Sequence, residues 1–469
     1  MSLRTHWHAV VPSAAALAFG AGCSIVNRID ACDPRGDAEF TVNQVTADDQ
    51  YISGPRAAVA LPDGNVAVVW NSDRFVTGSN GVPRNPGAVR VGLRAADGRY
   101  LSASGLRNGD FDVAAPAAQS TWNPVIATGS VRGSTVYVAW SQSPLDGASR
   151  VFVRPLTATL SPISSDAPAS FEISDPDDAS VAGRTNATRP SVAVSADGTR
   201  ALVVYLVYRG IAGGTVRCRP LTVSAATDVH GQLAPNPVDG ADAAGSLSAE
   251  GPVGFPVIAR FGDGFVVVWP DFSQGRWQAT WRFMNHLGMP RAALATELGG
   301  LRDRNALPLL ALERDGDELL LAWSRTRSAA PLLRDVVYRR FARDLRPLGA
   351  EVVANAEAGD HNSPAVVALP RGGAMVSWDD DTRGTSATRV LARAFDRDGR
   401  PLFTREACER GEFSLPGAAP GRQTISALVR VGDDVFAVWR DASERAPDAF
   451  GLSVRGRSFG VTELAPALR

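Results

Sequence analysis

The chain contains no lysine; all 48 of its basic residues are arginine. That absence rules out Schiff-base chemistry, a P-loop lysine and a Ser–Lys nucleophilic pair. Histidine is scarce too, with five residues, of which His6 and His8 lie in the N-terminal segment. His230, His286 and His361 are far apart, with no H-E-x-x-H and no paired spacing for a metal. No G-x-S-x-G nucleophile elbow or Ser–His–Asp spacing stands out. Charge of one sign is also missing. The formal net charge is -1 and the pI about 6.5, so no global field draws in nucleic acid or anionic lipid. The one long apolar run, Ala9 to Gly22, is too short to span a bilayer as a stable helix. From these absences no cofactor, no metal and no nucleic-acid partner is expected.

What the sequence has in quantity is repetition. Seven times an apolar opening leads through a Gly-based turn into a strongly apolar run that closes on an aromatic residue. Val59 to Trp70, Pro256 to Trp269 and Pro308 to Trp323 are the clearest copies, and the others close on Trp140, Tyr205, Trp378 and Trp439. Successive closing aromatics stand 70, 65, 64, 54, 55 and 61 residues apart, about the length of one small four-stranded sheet with its loops. A fixed period of this kind indicates a repeat architecture. The unbroken Val66 to Trp70 and Phe265 to Trp269 suit strands buried on both faces, while Val89 to Leu93 and Val337 to Phe341 alternate like half-buried outer strands. With Gly 45 and Pro 31 supplying turns, the expectation is an all-β, seven-bladed propeller of four-stranded blades over residues 38–469. Glu39 to Asn43 has the pattern of a fourth strand placed before any first strand, so it is expected to close the last blade.

Phe395-Asp396-Arg397-Asp398-Gly399-Arg400-Pro401-Leu402, together with the P-x-V-A-x-L-x-D-G-x-x-V-V-W openings, resembles repeats of secreted and surface bacterial β-propeller proteins, including large calcium-binding repeat proteins. The resemblance covers nearly all of residues 38–469 and implies the same propeller blades. In this pattern Tyr205 stands where Trp is usual, and Thr424 takes the place of the opening Pro of the seventh unit.

Residues 1–22 read as a signal peptide and 23–37 as a polar tether. Gly20-Ala21-Gly22-Cys23 resembles a bacterial lipoprotein signal, which implies lipidation at Cys23, export and anchoring to the outer membrane; Gly20 departs from the Leu that such signals prefer there. Simple secretion, to the periplasm or cell surface, is the other reading. Of the remaining cysteines, Cys32 and Cys408 share a local context, Ala-Cys-acid before an Arg-Gly and a fourth strand, and form a candidate disulfide.

Loops joining strand four to the next strand one, and strand two to strand three, share one face of a propeller. They carry the candidate ligand residues: Asp49, Tyr51, Trp122, Asn123, Arg189, Arg304, His361 and Asn362 ahead of first strands, and Asp73, Asp271, Asp380, Arg383 and Asp441 after second strands. Carboxylates, guanidiniums and amides around a funnel suit a glycan, a peptide or another envelope protein, although Asp and Asn also serve turns. The leading expectation is a noncatalytic, monomeric binding or scaffolding lipoprotein that meets the membrane only through its N-terminal lipid. The alternative is a secreted carbohydrate-active enzyme, a glycosidase or sialidase-like protein using acidic funnel residues. Against a sialidase, the S-x-D-x-G-x-x-W turn is not repeated, and Ser195-Ala196-Asp197-Gly198 lacks its spacing.

Overall fold

A sheet that is apolar on both faces must bury both, and seven such sheets can do so by packing face to face around a ring. The computed structural model describes residues 38–461 apart from 78–82, 102–109, 115–118, 145–147, 164–169, 175–185, 209–212, 223–244, 249–250, 292–308, 383–387, 403–410, 418–420 and a few shorter loop positions. Within them the chain is all β, arranged as seven antiparallel sheets of three to five strands, with a two-stranded ribbon of Val76–Thr77 and Pro83–Arg84 and one short 3-10 turn, Pro370–Gly372. Each second strand is central: Val66–Asp73, Val136–Pro144, Arg200–Tyr208, Gly264–Ser273, Glu318–Ala329, Ala374–Asp380 and Asp434–Asp441 each pair on both sides. Strand number varies around this common centre. The fourth sheet shows three strands among the described residues, and the first and sixth show five.

The hydrophobic core divides into seven clusters, each built from two neighbouring sheets. One of them joins Trp70, Val66 and Val68 of the first sheet to Ala427, Val429 and Val438 of the seventh, so the series closes on itself. Every closing aromatic packs against the preceding sheet, and all seven are at most 1% exposed. The indole N–H of Trp70 donates to Gln50 Oε1 (2.9 Å) and that of Trp140 to Gln142 Oε1 (2.9 Å). At the chain ends Phe40–Thr41 pairs antiparallel with Ser453–Gly460. Val42 N–H donates to Val454 O at 2.8 Å, and the Asn43 side chain bonds Asp448 (2.8 Å) and accepts from Val454 N–H (3.0 Å).

The opening proline has a specific place. In the second, third and sixth sheets the ladder skips two residues, Asn123-Pro124, Arg189-Pro190 and Ser363-Pro364, opposite the closing aromatic. The residue before each Pro has a positive φ of 52°, 53° and 49°. Pro has no N–H to give to a ladder, so it is tolerated at a bulge, and the bulge re-aims its neighbour. The seventh sheet bulges at Ile425 (φ 50°), with Ser426 paired to Trp439. The residue in the proline position is therefore Ser426 and not Thr424, because the bulge at Ile425 separates the two and leaves Ser426, two residues on, opposite Trp439.

Trp378, fully buried between the fifth and sixth sheets, tests this packing. Trp378→Ala is expected to cost about 3–5 kcal/mol in urea-induced unfolding.

Candidate functional site

The four bulged residues Asn123, Arg189, Ser363 and Ile425 all line one axial cavity of about 240 Å³, together with Gly54-Pro55 and Phe255-Pro256. Off the axis, on the same face, a larger pocket of about 950 Å³ lies over the second, third and fourth sheets. Tyr51, Trp122, Tyr208, Phe255 and Trp277 give it aromatic walls, and Asn123, Asn186, Thr188 and Arg189 give it polar ones. Its residues come from the starts of first strands, the ends of second strands and the starts of third strands, which is one face of the ring.

Several contacts hold these walls in place. Trp122 Nε1–H donates to Thr188 Oγ1 (3.2 Å), and the Arg189 backbone N–H donates to Ser141 Oγ (3.2 Å). The Arg189 guanidinium lies 4.3 Å from the centroid of the Phe255 ring, a cation–π contact that orients both; burial lowers its pKa. Trp277 packs edge-on against Phe272 at 5.2 Å. Tyr51 donates its hydroxyl to Asp73 Oδ2 at 2.6 Å and lies under the Arg440 guanidinium at 5.1 Å. Burial, then the Asp73 charge, raises the Tyr51 pKa.

Asp271 flanks the pocket. Its backbone pairs with Val253, and Phe272 N–H donates to Pro252 O (2.9 Å), while Pro252, Val253 and Trp277 line the pocket. The Asp271 carboxyl is half-buried, has no hydrogen-bond or ion-pair partner among the described residues, and has its pKa raised by burial alone. A carboxyl whose pKa is raised in this way is shifted toward proton donation.

Of the residues expected from sequence, Tyr51, Trp122, Asn123 and Arg189 come together in this pocket, with Asp73 bonded to Tyr51 and Asp271 beside it. Others are engaged in holding the chain. Asp49 Oδ1 accepts from Leu452 N–H (2.8 Å). Asp441 is fully buried, with Arg445 at 2.8 Å and Arg455 at 3.9 Å. His361 and Asp380 face each other across a strand pair (Nδ1 to Oδ1, 3.4 Å), with His361 buried and its pKa lowered chiefly for that reason, and Asn362 pairs with Asp379. Arg304, Arg383, Cys23, Cys32 and Cys408 lie outside the described residues. Phe255, Tyr208 and Trp277 escaped the sequence reading. Their signal was an aromatic residue away from any closing position, next to a turn.

Gly456-Arg457-Ser458-Phe459-Gly460 does spell G-x-S-x-G, but it lies inside the strand Ser453–Gly460 and Ser458 is 2% exposed, so it makes no nucleophile elbow. Among the described residues no group of His, Cys, Asp and Glu is arranged to hold a metal ion.

No family model and no curated protein matches the chain. Solved structures similar to it include the GH93 α-L-arabinofuranosidase of Fusarium graminearum in complex with arabinobiose, at 13% identity and TM-score 0.40, covering 70% of this chain and 90% of that one. The α-L-arabinanase of Penicillium chrysogenum matches at 12% identity and TM-score 0.38, covering 62% and 97%. Prolyl oligopeptidase B of Galerina marginata matches at 11% and 0.44, covering 93% and 52%. At such identities and scores the likenesses assign no activity.

Asp379, adjoining the axial cavity, gives a pH test. Burial pushes its pKa up to about 7 against the hydrogen bonds from Ser363 and from Ile425 N–H (2.7 Å). The folded state therefore holds a proton that the unfolded chain releases near pH 4, so this contribution is full below pH 4 and is lost as pH rises toward 7. In thermal melts from pH 4 to 8, Asp379→Asn is expected to flatten a decline worth on the order of 4 kcal/mol.

Proposed function

We propose that the protein is carbohydrate-active and takes a saccharide into the aromatic pocket of Tyr51, Trp122, Tyr208, Phe255 and Trp277. Sugar rings present apolar faces to aromatic side chains and hydroxyls to amides and guanidiniums, and this lining offers both. The observation that carries cleavage rather than holding is Asp271, a half-buried, unpartnered carboxyl at the pocket edge. In this reading Asp271 protonates the departing glycosidic oxygen and the Asp73–Tyr51 pair stands as the second acidic group. A noncatalytic binding role is the second reading, favoured by the absence of Asp and Glu among the described residues that line the pocket.

The pairing of Phe40–Thr41 with Ser453–Gly460 supports a further reading, that the N-terminal strand completes the last blade. The N-terminal sequence supports export and a lipid on Cys23. Cys23→Ser is expected to move the protein out of the membrane fraction and to abolish fatty-acid labelling; membrane attachment that persists in the variant removes that part of the reading.

For the pocket, reducing-end release is measured over a panel of polysaccharides and aryl glycosides. Turnover that falls about 10²–10⁴-fold in Asp271→Asn, with binding kept, is the expected result. Trp277→Ala is expected to weaken saccharide binding about tenfold or more. Binding with no turnover selects the noncatalytic reading, and neither binding nor turnover overturns both.

A further inference from the structure

Arg56 crosses the channel that runs along the axis of the ring. Its Nη2 donates to the carbonyls of Ile258 (3.0 Å) and Leu312 (2.5 Å), and its Nη1 sits 4.0 Å from Glu313 Oε2. It lines the axial cavity of the loop face and also two cavities on the opposite, hairpin side, of about 540 and 390 Å³. Three further arginines rim that side. Arg260 and Arg314 line the first cavity, Arg314 and Arg430 the second.

These three hold one register. Arg260, Arg314 and Arg430 each stand nine residues before the closing Trp269, Trp323 and Trp439, and they pair opposite Phe265, Leu319 and Val435. The hairpins that follow turn through two residues, with Gly262, Gly316 and Gly432 at φ 57°, 61° and 60°. That left-handed first position belongs to the tight turn that fixes hairpin register, so three separate repeats deliver a guanidinium to the same height on the axis.

Each guanidinium is oriented by a neutral acceptor. Arg260 Nη1 donates to Ser130 Oγ (2.9 Å), Arg314 Nε to Gly316 O (2.8 Å) and Arg430 Nε to Gly432 O (3.0 Å). None of the three has an ion-pair partner among the described residues. Of the acids nearby, Asp263 pairs with Arg291, Asp315 and Glu318 pair with Arg340, and Glu313 faces Arg56, while Asp317 and Asp433 are exposed at the hairpin tips and line neither cavity. Burial, then the charge of Arg314, lowers the pKa of Arg260. Together the two cavities are lined by Arg56, Arg260, Arg314 and Arg430 against Glu313 and Asp315, a local excess of positive charge in a chain whose net charge is -1.

We propose that the hairpin-side mouth of the channel is a binding site for an oxyanion, a phosphate or sulfate group, held by Arg260, Arg314 and Arg430. Guanidinium forks match such groups in geometry and charge, and the two cavities, which share Arg56 and Arg314, leave room for a group that is free or esterified to a larger molecule. The site lies on the face opposite the saccharide pocket and stands whether or not that pocket is catalytic.

Isothermal titration of the full chain with inorganic phosphate, sulfate and glucose 6-phosphate, at ionic strength balanced with NaCl, tests the site. Binding at one site per chain is expected. It should weaken about tenfold in Arg314→Gln and be lost in Arg260→Gln/Arg430→Gln, and stay unchanged in Arg400→Gln, whose side chain is 77% exposed away from the channel. Tighter binding of the sugar ester than of free phosphate assigns the site to esters, and the reverse assigns it to the free ion. No heat with any of the three anions, or equal affinity in both Arg variants with their melting curves intact, overturns the proposal.

Discussion

The structure depends on one contact made seven times: a large aromatic side chain within each central strand, buried against the sheet before it. Each sheet is apolar on both faces, and a buried Trp contributes the largest single share of the surface that must leave water. The contact is directional along the chain, since every closing aromatic reaches backward. The seventh sheet and the first are therefore bound by the same means as any other pair, through Trp70. The rest of the molecule, from the bulges to the pocket walls, is mounted on this ring.

Much of the fold was legible because its determinants are local and periodic. The Trp-closed Val-rich run is one strand with an apolar residue at every position, and its recurrence reveals the sheet count. Strand number per sheet was less legible, since outer strands such as Val352–Val353 or Phe171–Glu172 are two residues long and carry almost no pattern. The seventh opening differs from the sequence expectation because Ser426 occupies the site of the missing proline two residues beyond Thr424, and only the pairing register reveals it.

The candidate site was partly legible. Face assignment follows from strand order alone, and Tyr51, Trp122, Asn123 and Arg189, grouped on that basis, line one pocket. Charge was the misleading signal. Asp49 and Asp441 looked like ligand groups yet bond Leu452 and Arg445 of the C-terminal segment, because a carboxylate at a strand end is as useful to a neighbouring N–H or arginine as to a ligand. The aromatic walls at Phe255, Tyr208 and Trp277 depend on three sheets meeting at one place, which no single repeat encodes.

The shared cluster between the seventh and first sheets also bears on how such a protein can change over generations. An open stack of repeats gains or loses a unit by duplication or deletion and keeps every remaining contact but one. Here the angles between neighbours must add to a full turn, so a unit added or removed would force all seven interfaces to tilt together. Loops on either face can diverge freely, but the count of sheets is inherited as a single trait.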